Sequence, residues 1–242
     1  MQHLRLDRSG PVAVMTWNHE EQNRFTTPFL EEVCEAWEGL AEDDEVRGVV
    51  VTAAQERYWS TGLHLPWLLA EAAGDPSRVA AFLELLHRVM LLAVGFPKPL
   101  VAAINGHAIG GGAILAACCD YRLMRDDVGF VAVPAVKLSI PFSPGVVALL
   151  RDILPPASFR TLAYTGERVT SAEAHELGFV DELLPPGELL PMAVALAAKL
   201  GAAKSATYAA IKRELRRHVL HVMRHDDPPA LKRTLAAVTG QP

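Results

Sequence analysis

Cysteine is scarce: three stand in 242 residues, two of them adjacent at Cys118 and Cys119. That excludes a disulfide framework and suits small core side chains in a reducing compartment, so a cytoplasmic protein is expected. No C-x-x-C pair occurs, and the histidines are scattered without ligand spacing, so no metal is expected. No uncharged apolar run reaches the roughly 18 residues of a membrane span. The N-terminus, MQHLRLDRSG, is too polar for a signal peptide. No membrane partner is therefore expected. Positive charge is not in excess either. Lys and Arg number 23 against 28 Asp and Glu, a net −5, which gives no sign of a nucleic-acid partner. Long repeats, low-complexity linkers and the G-K-[ST] of a phosphate-binding loop are all missing.

What the chain does have is hydrophobic mass, half of its residues. That is enough for one large domain, or a domain with an appendage. Its centre is Pro97–Asp120, PKPLVAAINGHAIGGGAILAACCD. Leu100–Ile104, closed by Asn105-Gly106, reads as a buried strand. Ala113–Cys119 carries no charge on any face, which marks a buried helix. Gly110-Gly111-Gly112 stands at its start. Each glycine costs about 1 kcal/mol relative to Ala inside a helix, and in return the backbone can approach a neighbour or a ligand closely. The first amides of a helix lack an internal acceptor and sit at the positive end of its dipole. The stretch thus reads as a wall of an anion-stabilising pocket. The dinucleotide pattern G-x-G-x-x-G fails, because Leu115 occupies its third glycine position. An oxyanion site fits better, with one backbone donor here and another to be found elsewhere.

Along the chain, residues 11–17 alternate as a strand, Asn18–Asn23 is a polar loop, and Thr27-Pro28 opens a helix through Leu40. Val46–Thr52 reads as a strand, Arg78–Val94 as an amphipathic helix, and Asp120–Met124 and Phe130–Val133 as strands. This alternation argues an α/β architecture with mostly parallel strands. Beyond Pro144 the pattern is helical: Gly145–Leu154, Pro156–Thr165, and Ser171–Leu177 capped by Thr170 or Ser171. A short strand, Phe179–Leu184, precedes two longer helices, Gly187–Gly201 and Ser205–Met223. The composition shift at Pro185-Pro186 is the one candidate boundary. Asp120 at the end of the buried helix is expected to be paired.

Four pieces in register resemble the crotonase, or enoyl-CoA hydratase/isomerase, superfamily. Asn23-Arg24-Phe25 stands at its early N-x-[FL] loop. Ser60-Thr61-Gly62-Leu63-His64-Leu65 is similar to its S-A-G-x-D-[IL]. Pro97–Asp120 resembles its glycine-run segment, and Thr165–Pro185 its T-G-x-x-[IV]-x-A-x-x-A-x-x-x-G-[LF]-V-[DN] stretch. The resemblance implies a ββα spiral over residues 1–190 with a helical oligomerisation region over 191–242. It also implies a homotrimer or homohexamer, and an acyl-CoA substrate in place of a resident cofactor. It supplies the missing half of the oxyanion hole: the amides of Leu63 and Gly111 would hold the thioester oxygen. Ser60, Thr61, Gly62 and Gly110 would shape the binding loops. Arg57, with help from Arg24, stands where the family places a cation near the CoA phosphates, though either also reads as a solvated surface charge. Trp59 and Trp67 flank the first loop, as pocket lining or as core. The Lys212–Arg217 cluster reads as a solvated helix face or as trimer and CoA contacts. The stripe Leu189, Ala193, Leu196, Leu200 is expected against another element, plausibly another subunit. Tyr58–Leu69 and the run after Asp120 look closest to the Δ3,Δ2-enoyl-CoA isomerases.

The pattern breaks at the proton-transfer positions. Hydratases of this family use two glutamates; the matching substrate-site positions here are Ile114 and Ala135, and no Glu lies between Glu84 and Glu167. His64 replaces the loop's acidic residue. Three readings stay open: another base, with His64 the nearest by location; chemistry that needs no glutamate, such as decarboxylation of a malonyl-type ester; or acyl-CoA binding without catalysis. His64 also reads as a mere hydrogen-bonding substitute at the loop edge, and His107 is ordinary for the family.

Overall fold

The computed structural model describes residues 1–231. The chain opens with an antiparallel hairpin, β1 (Leu4–Ser9) and β2 (Val12–Trp17), then β3 (Arg24–Phe25) and helix α1 (Thr27–Glu42). Next come β4 (Gly48–Ala53), β5 (Tyr58–Ser60), β6 (Gly62–Leu63), α2 (Leu65–Gly74) and α3 (Pro76–Val94). Strands β7 (Leu100–Ile104) and β8 (His107–Ile109) lead into α4 (Gly111–Cys118). After β9 (Tyr121–Arg125) and β10 (Phe130–Ala132), a 3-10 turn at Pro134–Leu138 precedes α5 (Pro144–Ile153) and α6 (Pro156–Thr165). The chain continues through β11 (Arg168–Thr170), α7 (Ser171–Glu176), β12 (Glu182–Leu184), α8 (Pro186–Gly201), α9 (Ser205–Leu215) and α10 (Arg217–His225).

The repeat is a strand in a large sheet, a strand in a small sheet, then a helix: β4–β5–α3, β7–β8–α4, β9–β10–α5. The large sheet runs β1-β2-β4-β7-β9-β12 and the small one β11-β10-β8-β5. Apart from the β1–β2 and β10–β11 pairs, all ladders are parallel. This is the expected ββα spiral with a helical C-terminal region.

Period-two alternation divides the core. On β2, Ala13, Met15 and Trp17 face the main core with Phe29, Val33 and Trp37 of α1, while Val12 and Val14 face the other way. On that second face Val50, Val101 and Leu123 meet Leu189, Ala193 and Ala197 of α8. Strands buried on both faces read as continuous apolar runs, which is why VRGVVVT and LVAAI carry no polar alternation.

The α8 stripe does pack on another element, the large sheet of its own chain, through Leu189, Ala193 and Leu196, and residue 190 lies within α8. Several expectations need correction. The helix expected over 205–223 breaks at Arg216, which ends α9 and begins α10. The basic cluster is not a uniform solvated face. Lys212 pairs with Asp120 at 2.8 Å and Arg216 with Asp152 at 2.7 Å, both cations being buried. Asp120 also accepts from Leu100 N and Tyr208 Oη, so it is paired as its burial requires. Strands β1, β8 and β11 are too short or too polar to announce themselves by periodicity. Residues 232–242, the end of the expected C-terminal region, lie outside the described residues. Among the described residues no single helix is long and apolar enough to cross a membrane.

Candidate active site

The β5–β6 turn is locked from within. Ser60 Oγ donates to the Asn23 carbonyl at 2.8 Å and accepts from Gly62 N at 3.1 Å. Asn23 Nδ2 donates to the Trp59 carbonyl at 3.1 Å. Asn23, Trp59 and Ser60 are sealed from solvent, where an unmade hydrogen bond would be costly. Gly62 has φ +75°, and a Cβ there would lie 2.3 Å from Gly111 N. A Cβ at Gly112 would lie 2.3 Å from the Ser60 carbonyl oxygen. The turn and the start of α4 therefore touch backbone to backbone, which no side chain permits.

That contact brings two amides together. His64 N donates to the Phe25 carbonyl at 3.2 Å. Successive amides of a strand alternate in direction, so the Leu63 N–H turns away from β3. Gly111 is the first residue of α4, and its N–H lacks a helical acceptor. Leu63 and Gly111 both border a cavity of about 530 Å³. Thr61 and Gly110 border it too, as expected, and so do Ile114 and Ala135. Its wall is mostly apolar, with Leu86, Met90 and Phe142 prominent. No carboxylate stands at either expected glutamate position.

Other expected site residues lie elsewhere. His64 does not border the cavity: its Nδ1 accepts from Trp67 N at 3.1 Å and caps α2. An accepting Nδ1 leaves the neutral ring's proton on Nε2, so the residue serves as a cap and is not placed as a base. Trp67 packs on Phe82, ring centroids 5.6 Å apart, and Trp59 is core against Trp17. Arg24 holds Glu20 through two nitrogens, at 3.0 and 2.8 Å. Arg57 is exposed, its guanidinium 5.2 Å from the Tyr58 ring centre. Neither arginine borders the cavity. Ser60 and Gly62 act on the loop's shape rather than on the cavity wall. His107 accepts at Nδ1 from Phe130 N at 3.2 Å, and burial lowers its pKa.

Two wall residues escaped the sequence reading: His87 on α3 and Asp227 just past α10. His87 Nε2 lies 2.9 Å from the Met223 carbonyl oxygen and 3.6 Å from Asp227 Oδ2. Asp227 accepts from Gly145 N, at the start of α5, at 2.6 Å. Burial pushes the Asp227 carboxyl up, while Gly145, His87 and Ser143 hold it back. The signal for His87 was present: with Leu83 and Met90 it follows helical spacing along a buried stripe. Asp227, one of two adjacent aspartates in a polar terminus, gave none. Among the described residues no group of three or more His, Cys, Asp or Glu could hold a metal ion.

Comparison with known proteins fits this geometry. The family model for enoyl-CoA hydratase/isomerase matches residues 7–227. A carnitinyl-CoA dehydratase of Salmonella arizonae is 33% identical over 213 residues, covering 86% of this chain and 78% of the relative. A probable enoyl-CoA hydratase of Mycobacterium tuberculosis H37Rv superposes with TM-score 0.88 at 21% identity, covering 97% of each chain. An enoyl-CoA hydratase of Bacillus anthracis superposes with TM-score 0.79 at 25% identity, covering 96% of this chain and 90% of that one.

Proposed function

The chain belongs to the enoyl-CoA hydratase/isomerase family, and from that premise we propose that it binds an acyl-CoA thioester and moves a proton next to the thioester carbonyl. The observation that carries this reading is the pair of amides, Leu63 and Gly111, bordering one mostly apolar cavity. Taking a proton from the carbon beside a thioester puts charge on its oxygen. Backbone donors fixed in advance meet that charge without reorganising, and one such donor is typically worth about 2.7–4 kcal/mol in the transition state. The apolar wall suits an acyl chain. Ile114 and Ala135 argue against water addition by paired carboxylates, although the Salmonella relatives are named as dehydratases. A proton transfer of the isomerase type needs one base where water addition by paired carboxylates needs two. With it go two further proposals: coenzyme A arrives as part of the substrate with no resident cofactor, and the working form is a trimer or a dimer of trimers.

The test is mass spectrometry of 3-enoyl, 2-enoyl and malonyl-type CoA esters incubated with the protein in D2O. Deuterium entering the α or γ carbon of the 3-enoyl ester supports the proposal. Loss of carbon dioxide from the malonyl-type ester alone would replace proton transfer with decarboxylation, which Ile114 and Ala135 equally permit. Binding of every ester with no exchange and no product would reduce the protein to an acyl-CoA binder.

A further inference from the structure

The cavity holds two amides for an enolate oxygen and no glutamate to create the enolate. Among the described residues that border it, His87 and Asp227 are the titratable ones. We propose that His87, with Asp227 behind it, is the acid–base group of this cavity. The assignment rests on the enolate reading above and supplies its missing base.

The tautomer follows from hydrogen bonding. A carbonyl oxygen only accepts, so the 2.9 Å contact with Met223 puts the proton of neutral His87 on Nε2. Nδ1 then carries the lone pair, and among the described residues nothing bonds to it. Asp227 is the weaker candidate for the base itself. Its Oδ1 takes the Gly145 amide and its Oδ2 lies toward His87 Nε2 at 3.6 Å. Its side chain is 2% exposed, and a charge so buried needs fixed partners. Gly145 provides one by being glycine: a Cβ there would lie 2.6 Å from Met223 Cγ, and closer still to the Asp227 carboxylate. The carboxylate thus sits against the first turn of α5, a ten-residue helix whose dipole favours an anion at that end.

In the step this implies, Nδ1 takes the proton from the acyl carbon beside the thioester. The C–H pair becomes the enolate double bond, and the carbonyl π pair moves onto the oxygen facing the Leu63 and Gly111 amides. The imidazolium so formed keeps Nε2–H on the Met223 carbonyl, and the negative charge of Asp227, 3.6 Å from Nε2, stabilises it. Return of the proton to the γ carbon of a 3-enoyl ester completes the isomerisation with no other reactant.

Deuterium exchange into a 3-enoyl-CoA ester, measured for wild type, His87→Ala and Asp227→Asn, tests this. General acid–base help is typically worth about 10²–10⁴-fold. His87→Ala is expected to lose at least about a hundredfold in exchange, to keep the thermal shift that the ester induces, and to recover exchange when imidazole is added. Asp227→Asn removes the charge behind the ring and leaves the Met223 carbonyl in place, so exchange should slow and its pH profile should shift while the ¹⁵N signals of His87 keep the Nε2–H tautomer. Wild-type exchange in His87→Ala overturns the assignment and leaves the enolate reading intact. A loss that imidazole does not restore means that His87 only pins α3 to the C-terminal helix, and also overturns it. Wild type that exchanges no ester removes the enolate reading and, with it, the base.

Discussion

A Cβ on Gly62 would lie 2.3 Å from the amide nitrogen of Gly111, and the Gly62 Cα is itself 3.2 Å from where a Gly111 Cβ would stand. These residues are 49 positions apart, on β6 and on the first turn of α4. Their contact sets the spacing of the two amides proposed to hold the substrate oxygen. It is a backbone contact, so side-chain repacking cannot compensate for a change in it.

Gly62→Ala should therefore damage activity more than stability. An Ala at φ +75° costs about 1–2 kcal/mol in backbone strain, and the new methyl must push α4 away. Misplacing one donor is expected to lower the deuterium-exchange rate by about 10²–10³-fold, with a smaller fall in the urea midpoint. Equal exchange in wild type and variant would separate this contact from the chemistry.

Lys212 offers a second test, because sequence and structure assign it different work. Its ammonium, 6% exposed, sits 2.8 Å from Asp120 Oδ1. Among the described residues, Lys212→Ala leaves the buried carboxylate held by Leu100 N and Tyr208 Oη alone. Breaking a buried pair on one side typically costs about 3–5 kcal/mol, which a urea titration resolves easily. A CoA contact would instead weaken ester binding and leave the midpoint alone.

The contrast shows what the sequence could and could not convey. The parallel sheet was legible because β4 and β7 are buried on both faces and spell continuous apolar runs. The glycine run Gly110–Gly112 was legible because it is costly at a helix start and so needs a reason, whereas Gly62 and its loop came only through the family resemblance. Lys212 and Arg216 misled because a cation on an amphipathic helix looks solvated until the packing shows Asp120 and Asp152 against it. His64 misled differently: it lies one residue from a proposed donor, yet its ring turns back to cap α2. His87 and Asp227, 140 positions apart, meet only through tertiary packing of α3 against the C-terminal helix.

Acid should weaken the fold through His19. Its Nδ1 faces His3 Nδ1 at 3.0 Å, its Nε2 meets Thr26 Oγ1 at 3.1 Å, and its ring stacks on Phe29. Burial first, then His3, lowers its pKa below 6.5. The native state thus binds fewer protons than the unfolded chain between that lowered value and 6.5. Its contribution is complete above 6.5 and is lost as pH falls through the folded value. Lowered His107 adds to the same slope, while Asp227, raised by burial, opposes it. The quantity to read is the difference in urea midpoint between wild type and His19→Gln at pH 7.5 and pH 5. The variant should lose less on acidification, and equal losses would clear His19 of the effect.

Position 135 tests the cavity from another residue of its wall. Ala135 and Ile114 border the same cavity as Leu63 and Gly111. A carboxylate at 135 would enter mostly apolar surroundings. Burial there would raise its pKa, moving it toward the range useful to a base at neutral pH. The informative background is His87→Ala, in which the proposed base is gone and the amides remain. Ala135→Glu added to it is expected to restore deuterium exchange by about 10²-fold or more, the lower end of general-base assistance. Restoration would mean that the hole lacked only a proton acceptor. Continued silence, with the ester still raising the melting temperature, would mean that the acyl carbons lie away from residue 135 and that the hole is oriented for different chemistry.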